Sequence, residues 1–224
     1  MAVDEATRLR EEDPNTDRLT DVVPLRVVAS RSRFEVDLNR ARDAALYLQP
    51  EAAWGLEIWR TEPPAEALAA SLEIYNSFYE SMSHVLDRLA VAGRFAVLDI
   101  HSYNHRRDGP DAPPAPAATN PDINIGTGSL DRSRWENLID RFTADLAAAL
   151  PPMTNVDENV RFKGGYFSQW IHERYPEQGC ALALEFKKTF MNEWDGTVDE
   201  ERLGRLKDAL TATTPGVVAE LRRP

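Results

Sequence analysis

Two apolar runs of strand length, each ending in ionisable side chains, constrain the fold of this chain more than any other feature. The first, Phe95 to Ile100, carries Asp99 and leads straight into His101, Ser102, Asn104 and His105. The second, Cys180 to Phe186, places Glu185 among aliphatic residues and continues into Lys187 and Lys188. Strands that are apolar on both faces must be covered on both, as in a sheet between helices, and the first run reads as a central strand. Helical patterns fill the intervals. Between residues 63 and 93 one face stays apolar through Leu68, Leu72, Tyr75, Phe78, Tyr79, Met82, Leu86 and Leu89, and Gly93 is a natural stop. A helix is expected over 131–150 with Asp131 as its cap, a shorter one over "FSQWIHERY", and an amphipathic one over 198–210 with a short helix after Pro215. The order of elements favours one α/β domain.

Other segments are read the same way. "EATRLREED" is helix-prone and is broken at Pro14 and Asn15, ahead of a turn of helix at "TDRLTDVV". "PLRVVAS" (24–30) is β-branched and predicts a strand; "RFEVDLNR" (33–40) alternates Phe34, Val36 and Leu38 with polar residues and predicts another, half-buried. Residues 41–61 read as a packed loop near the working face. Residues 106–130, rich in Pro, Gly and Asn, read as a long loop with a short strand at "INIG".

On this reading three strands end in polar residues, at Asp37-Leu38-Asn39-Arg40, Asp99-Ile100-His101 and Glu185. Ligands of open α/β sheets bind at the carboxyl ends of strands, so the three ends point to a shared site. His101 fits a metal ligand or catalytic base steadied by Asp99, and equally a hydrogen-bonded structural histidine. Glu185 is expected to be largely buried, which is costly for a carboxylate unless it is paired, with Lys187, Lys188 or an arginine, or serves chemistry. Arg40 fits a substrate contact or a surface ion pair. His105, Arg106 and Arg107 fit a solvated loop or a contact with an anionic substrate, while His84 and His172 fit structural positions within helices.

Charge and composition narrow the partners. With 26 Lys and Arg against 37 Asp and Glu, the 224-residue chain carries a formal charge of -11, which disfavours nucleic acid and an anionic membrane surface. A single cysteine, Cys180, excludes an intramolecular disulfide framework and a thiolate zinc cluster. The N-terminus has no signal-peptide core and no segment is long enough to span a membrane, so a cytoplasmic protein is expected.

Taken together and in order, "SRFEVDLNR", "VLDIHSYNHR", "PDINIGT", "KGGYFSQWIHE" and "ALALEFKKTFMNE" resemble the N-formylglutamate amidohydrolase family, over about residues 10–194. The resemblance implies a mixed β-sheet flanked by helices, a phosphorylase/hydrolase-like sandwich similar to that of zinc carboxypeptidases. It implies a zinc-dependent hydrolase cleaving the amide of an N-acyl amino acid such as N-formylglutamate, with a small carboxylate as substrate. His101 then matches a zinc ligand and Glu185 the base that activates water. Asn39 and Arg40 match the pair that binds a substrate carboxylate or polarises the scissile carbonyl. Asp13, or Glu12 beside it, matches a carboxylate metal ligand. Gly165 and Tyr166 would shape the pocket, and Arg106 would draw in an anionic substrate. One departure stands out: relatives carry an early histidine ligand on a strand, and no histidine precedes His84 here. The expectation is a single domain over 1–224 lacking that strand and ligand. Two further readings follow: an impaired member that binds a carboxylate, and a carboxypeptidase or peptidoglycan amidase of the same wider group.

Overall fold

The computed structural model describes residues 1–223. Four strands form one mixed sheet in the order β1-β4-β2-β3: β1 (Phe95–Tyr103), β2 (Ile123–Gly126), β3 (Val156–Glu158) and β4 (Gly179–Lys187). β1 runs parallel to β4, β4 antiparallel to β2, and β2 parallel to β3. The helices are α1 (Glu5–Glu11), α2 (Ala65–Ala92), α3 (Glu136–Ala149), α4 (Tyr166–Arg174) and α5 (Glu200–Leu221). None of the helices among the described residues is long and apolar enough to cross a membrane.

Alternation along the strands divides the core. Even-numbered residues of β4, Cys180, Leu182, Leu184 and Phe186, face Leu138, Phe142 and Leu146 of α3 and Leu203 and Leu210 of α5. On the other face Phe95 and Ala181 pack with Met82 and Leu86 of α2 and Phe167 and Ile171 of α4. β4 is therefore covered on both sides, as its composition requires.

β1 departs from expectation. It is the edge of the described sheet, not its centre, and residues Ala96 to Ser102 are only partly buried. A groove of about 630 Å³ follows its free edge, walled by Met82, Leu86 and Leu89 of α2 and by Val217 and Leu221 of α5, and it ends at Asn39, Asp99 and His101. The segment 24–30 borders the same groove without forming the expected strand: it has no strand partner, and Leu25 and Val27 are about half exposed.

The expected strand over 33–40 is also absent. Glu35 and Val36 both donate to the Ser32 carbonyl, and the Asp37 carboxylate takes the Asn39 N–H at 2.8 Å, so local turns satisfy the backbone. The period of two comes from separate anchors: Phe34 buries against Tyr47, Ala53 and Ile58, and Val36 against Ala45 and Tyr75. α3 begins at Glu136, because Asp131 instead caps the preceding turn through the N–H groups of Ser133 and Arg134. α5 runs unbroken through Pro215, since its apolar face, Leu206, Leu210 and Val217, continues across the proline onto the core. β3 had no counterpart in the sequence reading, and three residues give no periodicity to detect.

His172 ties α4 to β4 as a neutral ring. Its Nε2 lies 3.0 Å from the Ala181 N–H and its Nδ1 2.8 Å from the Ser129 hydroxyl. Burial pushes its pKa down to about 4 from an ordinary 6.5. Protonation therefore favours the unfolded chain: the stabilisation is complete above pH 6.5 and is lost as pH falls towards 4. Between pH 7 and pH 4.5 the stability advantage of the wild type over His172→Gln should shrink by roughly 2–3 kcal/mol, read from urea midpoints. Identical pH dependence in both proteins would contradict this assignment.

Candidate functional site

The parallel register of β1 and β4 sets His101 directly beside Glu185 and Asp99 beside Ala183. Asp99, His101 and Glu185 share the α2 and α4 face because residues two apart point the same way. His101 is held from both sides: Nε2 lies 3.0 Å from Asp99 Oδ1 and Nδ1 3.5 Å from Asp13 Oδ2. Asp99 also accepts from the Ser168 hydroxyl at 3.2 Å, which joins β1 to α4. Asp13 arrives from the turn after α1, and its other oxygen accepts the Ser102 N–H at 2.7 Å and the Ser102 hydroxyl at 2.9 Å.

Burial and charge oppose each other here. Burial works against a charged imidazole, but Asp99, Asp13 and Glu185 outweigh it and hold His101 well above 6.5. Burial would likewise raise Asp13, yet its hydrogen bond to His101 and the charges of His101, Arg33 and Lys188 keep it far below the carboxylate range. Glu185 goes the other way: burial, reinforced by Asp13 and Asp99, pushes it up to about 7 against the pull of His101. A carboxyl balanced near neutrality beside a fixed charge cluster can both take and return a proton.

Asn39 closes the site from the loop after Asp37. Its Nδ2 is 3.1 Å from His101 Nε2, its Oδ1 accepts the Phe167 N–H at 3.0 Å, and its carbonyl accepts the Tyr166 N–H at 3.2 Å. This approach needs the glycine at 165, where a Cβ would lie 2.3 Å from the Asn39 amide. Tyr166 packs its ring against Tyr79 beside that junction.

Of the arginines, Arg33 and not Arg40 or Arg106 approaches the cluster. Arg40 donates to the Ala52 carbonyl at 2.9 Å, stacks over Tyr47 and lies 3.6 Å from Asp37, without contacting His101 or Glu185. Arg33, which the sequence reading did not single out, approaches the cluster: its Nη1 is 3.9 Å from Asp13 and its Nη2 donates to Asp37 at 2.8 Å. Its Nε is buried without a partner. The signal available in the sequence was spacing, since Arg33 and Arg40 flank Asp37 at four and three residues. Arg106 stays with its own loop, donating to the Pro110 carbonyl and, through its backbone, to Glu193. His105 packs beside Glu193 and not in the cluster.

The sequence matches the N-formylglutamate amidohydrolase family over residues 1–191. The chain belongs to the N-formylglutamate amidohydrolase family. That family comprises hydrolases acting on amide bonds. Among solved structures the fold is similar to the N-formylglutamate amidohydrolase of Ralstonia eutropha JMP134, with a TM-score of 0.75 and 19% identity over 99% of this chain and 88% of that one. It is also similar to the gene product Atu2144 of Agrobacterium tumefaciens, with a TM-score of 0.51 and 17% identity over 84% of this chain and 69% of that one. No curated protein matches the sequence.

The zinc that the family resemblance implies meets a partial donor set. Two ligands on adjacent corners of a tetrahedral zinc lie about 3.3 Å apart, given bonds of about 2.0–2.1 Å. His101 Nδ1 and Asp13 Oδ2, at 3.5 Å, suit two such corners. Among the described residues no group of three His, Cys, Asp or Glu side chains is placed to hold an ion, whereas zinc sites supply at least three protein ligands. The residues present therefore do not complete a zinc site.

Gly165→Ala should displace Asn39 from His101 and Phe167, at a cost of about 1–3 kcal/mol. A urea midpoint equal to that of the wild type would show that the loop yields freely.

Proposed function

We propose that this protein hydrolyses the amide bond of an N-acyl amino acid, with N-formyl-glutamate as the first substrate to test. The observation that supports this most is Glu185, a partly buried carboxyl pushed up to about 7 beside His101. No protein group donates a hydrogen bond to it among the described residues. In this reading Glu185 takes a proton from a water whose oxygen adds to the amide carbonyl carbon. The proton then passes to the nitrogen as the C–N bond breaks, and formate and glutamate leave.

The other side chains bind and orient. Arg33, with its free buried Nε, and Asn39 lie beside the cluster and suit the developing oxyanion. Arg40 suits a substrate carboxylate after release from the Ala52 carbonyl, since a guanidinium can bind carboxylate through two parallel hydrogen bonds. Gly165 and Tyr166 form the wall, and Arg106 supplies positive charge on the loop that follows β1. His101 and Asp13 are two of the three or more donors that a zinc site takes, so no step passes through an ion.

A second reading, a member that binds a carboxylate without turnover, is favoured by the two-donor count. Formate release from N-formyl-glutamate separates the two. Turnover should fall by about 10²–10⁴ in Glu185→Gln with an unfolding midpoint no lower than that of the wild type, and undiminished kcat would remove Glu185 from the chemistry. Calorimetric binding with no formate release would support the second reading. Any zinc taken up by the wild type should be lost in His101→Ala, and unchanged zinc content would exclude His101 as a ligand.

A further inference from the structure

Lys188 is a buried cation that the proposed chemistry does not use. It follows β4 directly and is 1% exposed. All three protons of its ammonium have acceptors: the Arg10 carbonyl at 2.6 Å, the Glu12 carbonyl at 2.7 Å and Asn104 Oδ1 at 2.9 Å. Arg10 and Glu12 sit at the carboxyl end of α1, where the last carbonyls of a helix lack intrahelical partners. A buried ammonium with complete hydrogen bonding has one geometry open to it, so it fixes whatever it grips.

What it grips is the segment that carries Asp13. Glu12 is the preceding residue, and the Asp13 carbonyl is in turn held by the Thr16 hydroxyl at 2.6 Å. The third bond runs to Asn104, just beyond the end of β1. Lys188 thus joins the end of α1 to the ends of β4 and β1, the two strands that carry Glu185 and His101.

We infer that Lys188 is a positioning residue: by binding the Arg10 and Glu12 carbonyls it sets Asp13 at its distance from His101 and Ser102. Its role rests on no contact with substrate. The functional consequence rests on the reading of Asp13 as a site residue, whereas the geometry does not.

The Ser102 amide reports on the geometry, because its N–H donates to Asp13 Oδ1 and not to a strand. Amide exchange followed by NMR in the full chain should show Ser102 exchanging about tenfold faster in Lys188→Met, as in an Asp13→Ala control, while the β1 amides paired with β4 change little. A merely structural lysine would instead raise exchange throughout β1 and β4. Should Lys188→Met fail to fold, Lys188→Gln keeps a donor on a shorter side chain and should show a smaller opening at the same amide. Ser102 protected as in the wild type, in either folded variant, overturns the inference.

Zinc titration distinguishes this from the functional reading. Where Asp13 is a ligand, Asp13→Asn and Lys188→Met should both weaken zinc binding, the latter about 10- to 100-fold. If Asp13→Asn leaves zinc binding unchanged, or the wild type takes up no zinc, the ligand reading fails while the exchange result still decides the role of Lys188.

Discussion

The pairing of one imidazole with two carboxylates, Asp13 on Nδ1 and Asp99 on Nε2, is the interaction on which the site depends. It joins the turn after α1 to the end of β1 and, through the Ser168 hydroxyl on Asp99, to the start of α4. Burying ions costs several kcal/mol each unless partners compensate, so such a cluster is a poor way to stabilise a domain. Here the cost is offset by complementary charge, and the by-product is Glu185, left without a cation of its own and raised towards neutrality.

Backbone geometry creates this imbalance. Parallel pairing places His101 and Glu185 side by side on one face, while the apolar residues that precede them, Ile100 and Leu184, point into the opposite core. The sheet thus supplies a rigid base, and the loops supply the adjustable parts: Asn39 against Gly165, Arg33 against Asp37, and the Asp13 turn against Lys188. The apolar groove along the free edge of β1 opens onto the same cluster, so the end of the chemistry and the open edge of the sheet coincide.

The elements that carry the centre of the site were legible in sequence, because burial on both faces leaves a continuous apolar run and a polar residue inside such a run stands out. β4 was visible in this way and α2 through its one apolar face, while β1, read as a central strand from a similar run, is a partly buried edge. Residues 33–40 show the limit: Phe34 and Val36 alternate like a strand because they anchor in two separate aromatic clusters, a tertiary cause with the same period. Arg33 was missed and Arg40 favoured, since spacing to Asp37 does not reveal which guanidinium turns towards Asp13. Asp13 was reached through family resemblance alone; nothing local marks one carboxylate of an acidic helix end as the one that meets a histidine 88 residues away.

The most direct test of this account is the charge state of His101 in the metal-free protein, read from the ¹⁵N shifts of its ring as pH is raised. Two flanking carboxylates require an imidazolium that persists well above pH 6.5, with the Nδ1 proton lost at lower pH once Asp13 is replaced by Asn. A ring that titrates near 6.5 and ignores Asp13→Asn would contradict the pairing on which the proposed site is built.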